Sequence, residues 1–205
     1  MRLSNSFLQR ATALRGAVLA LAVGLAGCAS APAFQPGAPT FDGAPVWRVP
    51  ASQIEVQTSP EVGKPETQIL TRLAIAPEDV ARSWPASRLR TDSSQNGAIV
   101  FTIEKASATE RILPRKTGVT AAFTRDAESV LEVAYAVSLA LFDGKGQKQG
   151  GARAEARASS TFVEGSDEDD RRKLWDRLMR EAAAKLDAEL QRQVPEGLPG
   201  LQQEG

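Results

Sequence analysis

One thiol and no imidazole set the chemistry open to this chain. Cys28 is its only cysteine, and among 205 residues there is no histidine. The commonest general base and the commonest metal ligand are therefore missing. What surrounds Cys28 gives the thiol its meaning. Arg2, Arg10 and Arg15 stand in an N-terminal stretch without a single acid, Gly16 to Leu25 is uncharged and apolar, and small residues lead into the cysteine. A basic start, a short apolar core and a small-residue cleavage site make a secretory signal peptide. The apolar core is about half of the ~20 residues that would span a bilayer, so the segment reads as a cleaved signal over residues 1–27 rather than a permanent span.

Leu25-Ala26-Gly27-Cys28 resembles the lipobox of bacterial lipoproteins. The resemblance implies cleavage between Gly27 and Cys28 and acylation, palmitate included, of the new N-terminal cysteine. Several acyl chains anchor a protein stably, since each buried methylene contributes roughly 0.8 kcal/mol. Ala29 and Ser30 follow, and the Asp that favours inner-membrane retention in Gram-negative members is absent at the second mature position. The resemblance thus implies a protein held at the periplasmic face of the outer membrane.

With Cys28 acylated, no thiolate nucleophile or cysteine metal site is left. The chain has no Gly-rich phosphate loop, no Ser-x-x-Lys and no G-x-S-x-G. The expectation is a protein without catalytic residues, cofactor or metal: not an enzyme. Three charged features remain. Asp167, Glu168, Asp169 and Asp170 lack the alternation, turn glycine and distal Glu of a calcium loop, and read instead as the acid-favouring start of a helix. Arg171, Arg172, Lys173, Arg177 and Arg180 read as the polar face of that helix, offset by neighbouring acids. Arg111, Arg115, Lys116 and Arg125, with Phe123 among them, surround one strand connection. This basic loop is the candidate partner-binding site, suited to an acidic protein surface or anionic headgroups.

Removing Arg2, Arg10 and Arg15 from 25 basic residues leaves 22 against 25 acidic. That balance offers nothing to nucleic acid. The body must be stable in an oxidising compartment without a disulfide. Residues 28–45, rich in Ala and Pro, read as a tether, and residues 195–205 as a disordered tail. Residues 46–194 between them are expected to form one domain.

Elements that would position these groups follow from hydrophobic period. Ile54 and Val56 mark a strand near residues 52–57. Pro77-Glu78-Asp79 starts a helix that Pro85 is expected to shorten or break. Ile99, Phe101 and Ile103 alternate in a second strand. Leu131, Val133, Tyr135, Val137, Leu139 and Leu141 do so in a third, which Asp143-Gly144 and Lys145-Gly146 turn into a hairpin. The return strand carries Ala152, Ala154, Ala156 and Ala158 on one face and Arg153, Glu155 and Arg157 on the other. An alanine stripe beside Leu and Val suits close packing by a helix. That helix starts at the capping sequence Ser166 to Asp169 and presents Leu174, Leu178, Ala182, Leu186 and Leu190, with Trp175 and Met179 widening the stripe, until Pro195 ends it. Its far end, polar beyond Leu190, is expected to overhang the sheet. The predicted fold is α+β: a two-layer sandwich of an antiparallel sheet of about four strands with a short helix and a long C-terminal helix on one face, the other face polar.

This element order, behind a lipid tether, is similar to that of the lipopolysaccharide-assembly lipoprotein of the outer-membrane translocon and of the auxiliary lipoproteins of ABC-type lipid transport. Ala76-Pro77-Glu78-Asp79-Val80 and the loop from Leu113 to Arg125 also resemble uncharacterised lipoproteins of alphaproteobacteria. The resemblance implies a non-enzymatic accessory or scaffold in envelope assembly or transport, with an envelope protein as partner. The alternative is a carrier holding lipid or lipopolysaccharide acyl chains between the alanine stripe and the helix.

Overall fold

The computed structural model describes residues 37–43, 45–60, 62, 73–114, 127–163 and 165–204. In chain order the elements are β1 (Val46–Val49), β2 (Gln53–Thr58), α1 (Pro77–Arg88), β3 (Leu89–Thr91), β4 (Ala98–Ile112), β5 (Ala127–Phe142), β6 (Lys148–Val163), α2 (Glu168–Gly197) and β7 (Gln202–Glu204). They build the α+β sandwich expected, with α1 and α2 covering one face of a four-stranded sheet ordered β2-β4-β5-β6. Two features differ from the expectation. The edge strand β2 runs parallel to β4, because α1 forms the crossover between them. A second sheet of order β3-β1-β7 brings the end of the described chain beside its first strand.

The core face is dictated by alternation. Ile99, Phe101 and Ile103 of β4 and Leu131 to Leu141 of β5 are buried as read. A bulge then inserts Glu104: Ile103 faces Val137, and Lys105 already faces Ala136. The extra residue moves the buried parity of β4 from odd to even, so Ala106 and Ala108 continue the core. Sequence alternation could not be followed past Glu104 for this reason, and β4 extends to Ile112.

The alanine stripe of β6 lies under α2 as expected, and all four alanines are buried. Toward the C-terminal end of α2 the contact becomes backbone to backbone. A Cβ built on Gly197 would lie 2.1 Å from the Gly151 carbonyl oxygen, and one on Gly150 would lie 2.5 Å from that of Gly197. The far end therefore does not overhang: Val194 and Leu198 are buried. Pro195 does not end the helix, and the tail expected to be disordered supplies β7, whose Glu204 pairs with Arg48 of β1. The body also reaches into the expected tether, since Phe41 is buried in the core.

Both helices start with acids. Pro77 and the carboxylates of Glu78 and Asp79 occupy the first turn of α1. The helix continues through Pro85 for 12 residues, because its buried face (Val80, Ala81, Trp84, Arg88) outweighs one missing N–H donor. Trp84 stacks on Phe101 with ring centroids 5.7 Å apart. The cap of α2 falls one residue later than read: Asp167, not Ser166, accepts the backbone N–H of Asp170 at 2.8 Å.

Candidate functional site

Of the candidate partner-binding residues, Arg111 stands exposed near the end of β4, and Arg115, Lys116, Phe123 and Arg125 lie outside the described residues. So do Gly27 and Cys28. Beside Arg111, Ile112 is 79% exposed, a large apolar side chain left in solvent where β4 leads into the basic loop.

The base of this loop is fastened to the start of α2. Arg171, read from sequence as part of a polar face, is largely buried instead and reaches across to Glu110 of β4 and, at 3.4 Å, to Glu128 of β5. Its guanidinium also lies 4.0 Å from the centre of the Phe162 ring. Wholly buried Ser129 donates its hydroxyl to Glu110 at 2.6 Å. Arg172, Lys173 and Arg180 behave as expected, pairing with Asp169, Asp170 and Asp176 along the helix.

A second polar cluster locks the two helices together. The carboxylate of Asp187 accepts from Trp84 Nε1 at 2.8 Å and from Arg88 Nε and Nη2 at 3.0 and 2.8 Å, with Gln191 adding a fourth bond at 2.8 Å. Arg88 is 2% exposed and Asp187 14%. Sequence gave no signal for this pair, because each residue sits among other charges on a helix.

Between the start of α2 and the segment before α1 lies an apolar cavity of about 180 Å³, lined by Leu73, Ile75, Trp175 and Met179 among others. It is comparable to a cavity of roughly 150 Å³ that takes up one benzene. The indole N–H of Trp175 is buried and has no acceptor among the described residues. Tyr135 points its hydroxyl at Met179 Sδ, 2.9 Å away, and burial pushes its phenol well above the usual range. The space between the alanine stripe and α2 itself is filled by side chains and, at Gly151 and Gly197, by backbone. No group of three or more acidic or sulfur side chains among the described residues could hold a metal ion.

The opposite face of the large sheet is open and charged. Arg153 pairs with Glu104 at 3.0 Å and with Glu155 at 3.2 Å, and Arg157 approaches Glu132 at 3.8 Å. All three of Arg153, Glu155 and Arg157 are exposed, along the outermost strand. From α2, Lys185 donates to the backbone carbonyl of Arg157 at 3.1 Å, and Arg177 to the Ser160 hydroxyl at 3.3 Å.

The class that this geometry defines is an α+β sandwich with one sealed face and one open, charged face. No protein-family model matches the chain, and no curated protein matches it in sequence. Solved structures similar to it include a minor lipoprotein from Acinetobacter baumannii, 14% identical over 75% of this chain and 96% of that one, with a TM-score of 0.37. The rare lipoprotein B from Shewanella oneidensis is 15% identical over 68% of this chain and 94% of that one, TM-score 0.31. A neuraminyllactose-binding hemagglutinin homolog from Helicobacter pylori is 11% identical over 69% and 88%, TM-score 0.34. At these identities and TM-scores the likeness assigns no activity to this chain.

Proposed function

We propose that the protein is a lipid-anchored lipoprotein at the periplasmic face of the outer membrane, a non-enzymatic accessory that docks an envelope protein during assembly or transport. The observation that carries this reading is the sequence Leu25-Ala26-Gly27-Cys28 behind a basic, then apolar leader. The exposed end of β4 at Arg111 and Ile112 and the exposed outer strand β6 support a docking role over a catalytic one. The carrier alternative keeps little room: its acyl chains would have to enter the cavity at Trp175, not the filled space over the alanine stripe.

The test is metabolic labelling with a palmitate analogue, followed by envelope fractionation of wild type and Cys28→Ala. Label in the outer membrane that disappears in the variant is the expected result. A soluble, unlabelled wild-type protein overturns the anchored reading. Native mass spectrometry that recovers bound lipid would favour the carrier instead.

A further inference from the structure

We infer that the outer edge of β6 takes up one extended segment of a partner protein as an added strand, and that this segment carries acid, base and acid opposite Arg153, Glu155 and Arg157. The inference deepens the docking role proposed above and rests on it. β6 is 16 residues long and, among the described residues, pairs only with β5. Its ladder shifts register only at Ala127/Ser129 and Leu141/Phe142, so the two-residue period holds through the centre of the strand. The carbonyl of Arg157 faces away from β5, because Lys185 of α2 reaches it from outside. By that period, the N–H and C=O groups of Arg153, Glu155 and Ser159 face outward as well.

Natural sheets blunt such an edge with charged side chains, proline, a bulge or a covering segment. The charges on β6 alternate in sign, so they select among partner strands and do not repel every one. From Arg153 to Thr161 the strand has no proline and no bulge, and Lys185 holds one outward carbonyl. What α2 does exclude is a second copy. It packs over β6, with α1 over β4. Two molecules joined antiparallel through β6 would bring both α2 helices over the joint on the same face, where they would compete for space. The edge therefore admits a strand that arrives without a helix above it. Directly opposite residues of an added strand share a face. The exposed sequence Arg153, Glu155, Arg157 thus selects its charge complement.

The purified full-length mature protein in detergent micelles would be titrated with a fluorescein-labelled peptide, Thr-Val-Asp-Val-Lys-Val-Asp-Val-Thr. A twin with Lys and Asp exchanged serves as control. The pattern reads the same in both directions, so it suits parallel and antiparallel pairing alike. The first peptide is expected to bind about tenfold more tightly than the twin, and to slow hydrogen exchange at the Arg153, Glu155 and Arg157 amides. Lys185→Ala frees an acceptor and should tighten binding by about threefold to fivefold. Glu155→Pro removes one outward N–H and should abolish binding without moving the melting temperature of the free protein. If that variant fails to fold, the triple change R153E/E155R/R157E leaves the backbone intact and should invert the preference between the peptides. Absence of binding by either peptide to wild type and Lys185→Ala alike overturns the inference, as does equal affinity for both. A dimer that Glu155→Pro converts to monomer would assign the edge to a second copy and overturn it too. Failure here with Cys28-dependent labelling intact would discard the edge and keep the anchored accessory.

Discussion

Replacing Asp187 by alanine tests whether the two helices are held by a buried ion pair or merely by apolar packing. The carboxylate serves three groups outside its own helical turn: Trp84 Nε1 and the Nε and Nη2 of Arg88. Arg88 is 2% exposed, so its guanidinium cannot turn to water when the carboxylate is lost. Breaking one side of such a pair costs about 3–5 kcal/mol, and a buried N–H without an acceptor adds about 1–3 kcal/mol, although the two terms overlap. We expect about 4 kcal/mol, a large part of the roughly 5–15 kcal/mol that holds a domain together. For a domain of this size that is a fall in Tm of about 8–16 °C. Urea titration of the Cys28→Ala protein, followed by far-ultraviolet circular dichroism, measures it. The double variant Arg88→Met/Asp187→Leu removes both charges and should recover at least about 2 kcal/mol of the loss. Glu181→Ala, which breaks the exposed pair with Lys185, should leave the urea midpoint almost unchanged. If Asp187→Ala were no worse than Glu181→Ala, the burial argument would fail.

Gly197→Ala should destabilise by about 1–3 kcal/mol, since its Cβ would meet the Gly151 carbonyl, whereas Gly37→Ala, with open space around it, should be neutral; thermal melts compare them. Tyr135 is the only tyrosine, so its absorbance is unambiguous. Burial raises its phenol, and the folded protein should show no tyrosinate band at about pH 11, while the urea-unfolded chain titrates near about 10. The folded state then loses stability as pH rises above that unfolded value. Glu78 is held below the usual carboxylate range by the hydrogen bond from Thr58 and then by that from Arg82. Its contribution is present above the unfolded value of about 4.3 and is lost as pH falls through the lower folded value. Glu78→Gln should therefore narrow the stability difference between about pH 6 and about pH 3, a small effect because the carboxylate is partly exposed.

The long elements were legible where one face is uniformly apolar. Leu131 to Leu141, the alanine stripe and Leu178, Ala182, Leu186 and Leu190 each carry their own period, and each lies where that period puts it. Three things were not legible, for three physical reasons. The bulge at Glu104 reverses the parity of β4, so Ala106 and Ala108 look like the wrong face. Pro85 and Pro195 read as stops, yet tertiary burial carries both helices past them. The strands of the small sheet are only three or four residues long and acquire meaning only through partners far away in sequence. The same holds for charges. Arg171 and Arg180 are indistinguishable in sequence, but one bridges to Glu110 and Glu128 on the sheet and the other pairs with Asp176 four residues away on its own helix. As for the candidate loop, only Arg111 of its named residues falls among those described, and it is exposed.

The small sheet also imposes an order of events on the newborn chain. β1 takes its parallel neighbour from residues 89–91 and its antiparallel neighbour from residues 202–204, much later in the chain. Until residues 202–204 emerge, Trp47 and Arg48 face an empty position on one side. Closing contacts of such long sequence separation come slowly. A chain emerging N-terminus first must therefore keep β1 half-paired until residues 202–204 are made, and removing those residues would leave one edge of β1 open.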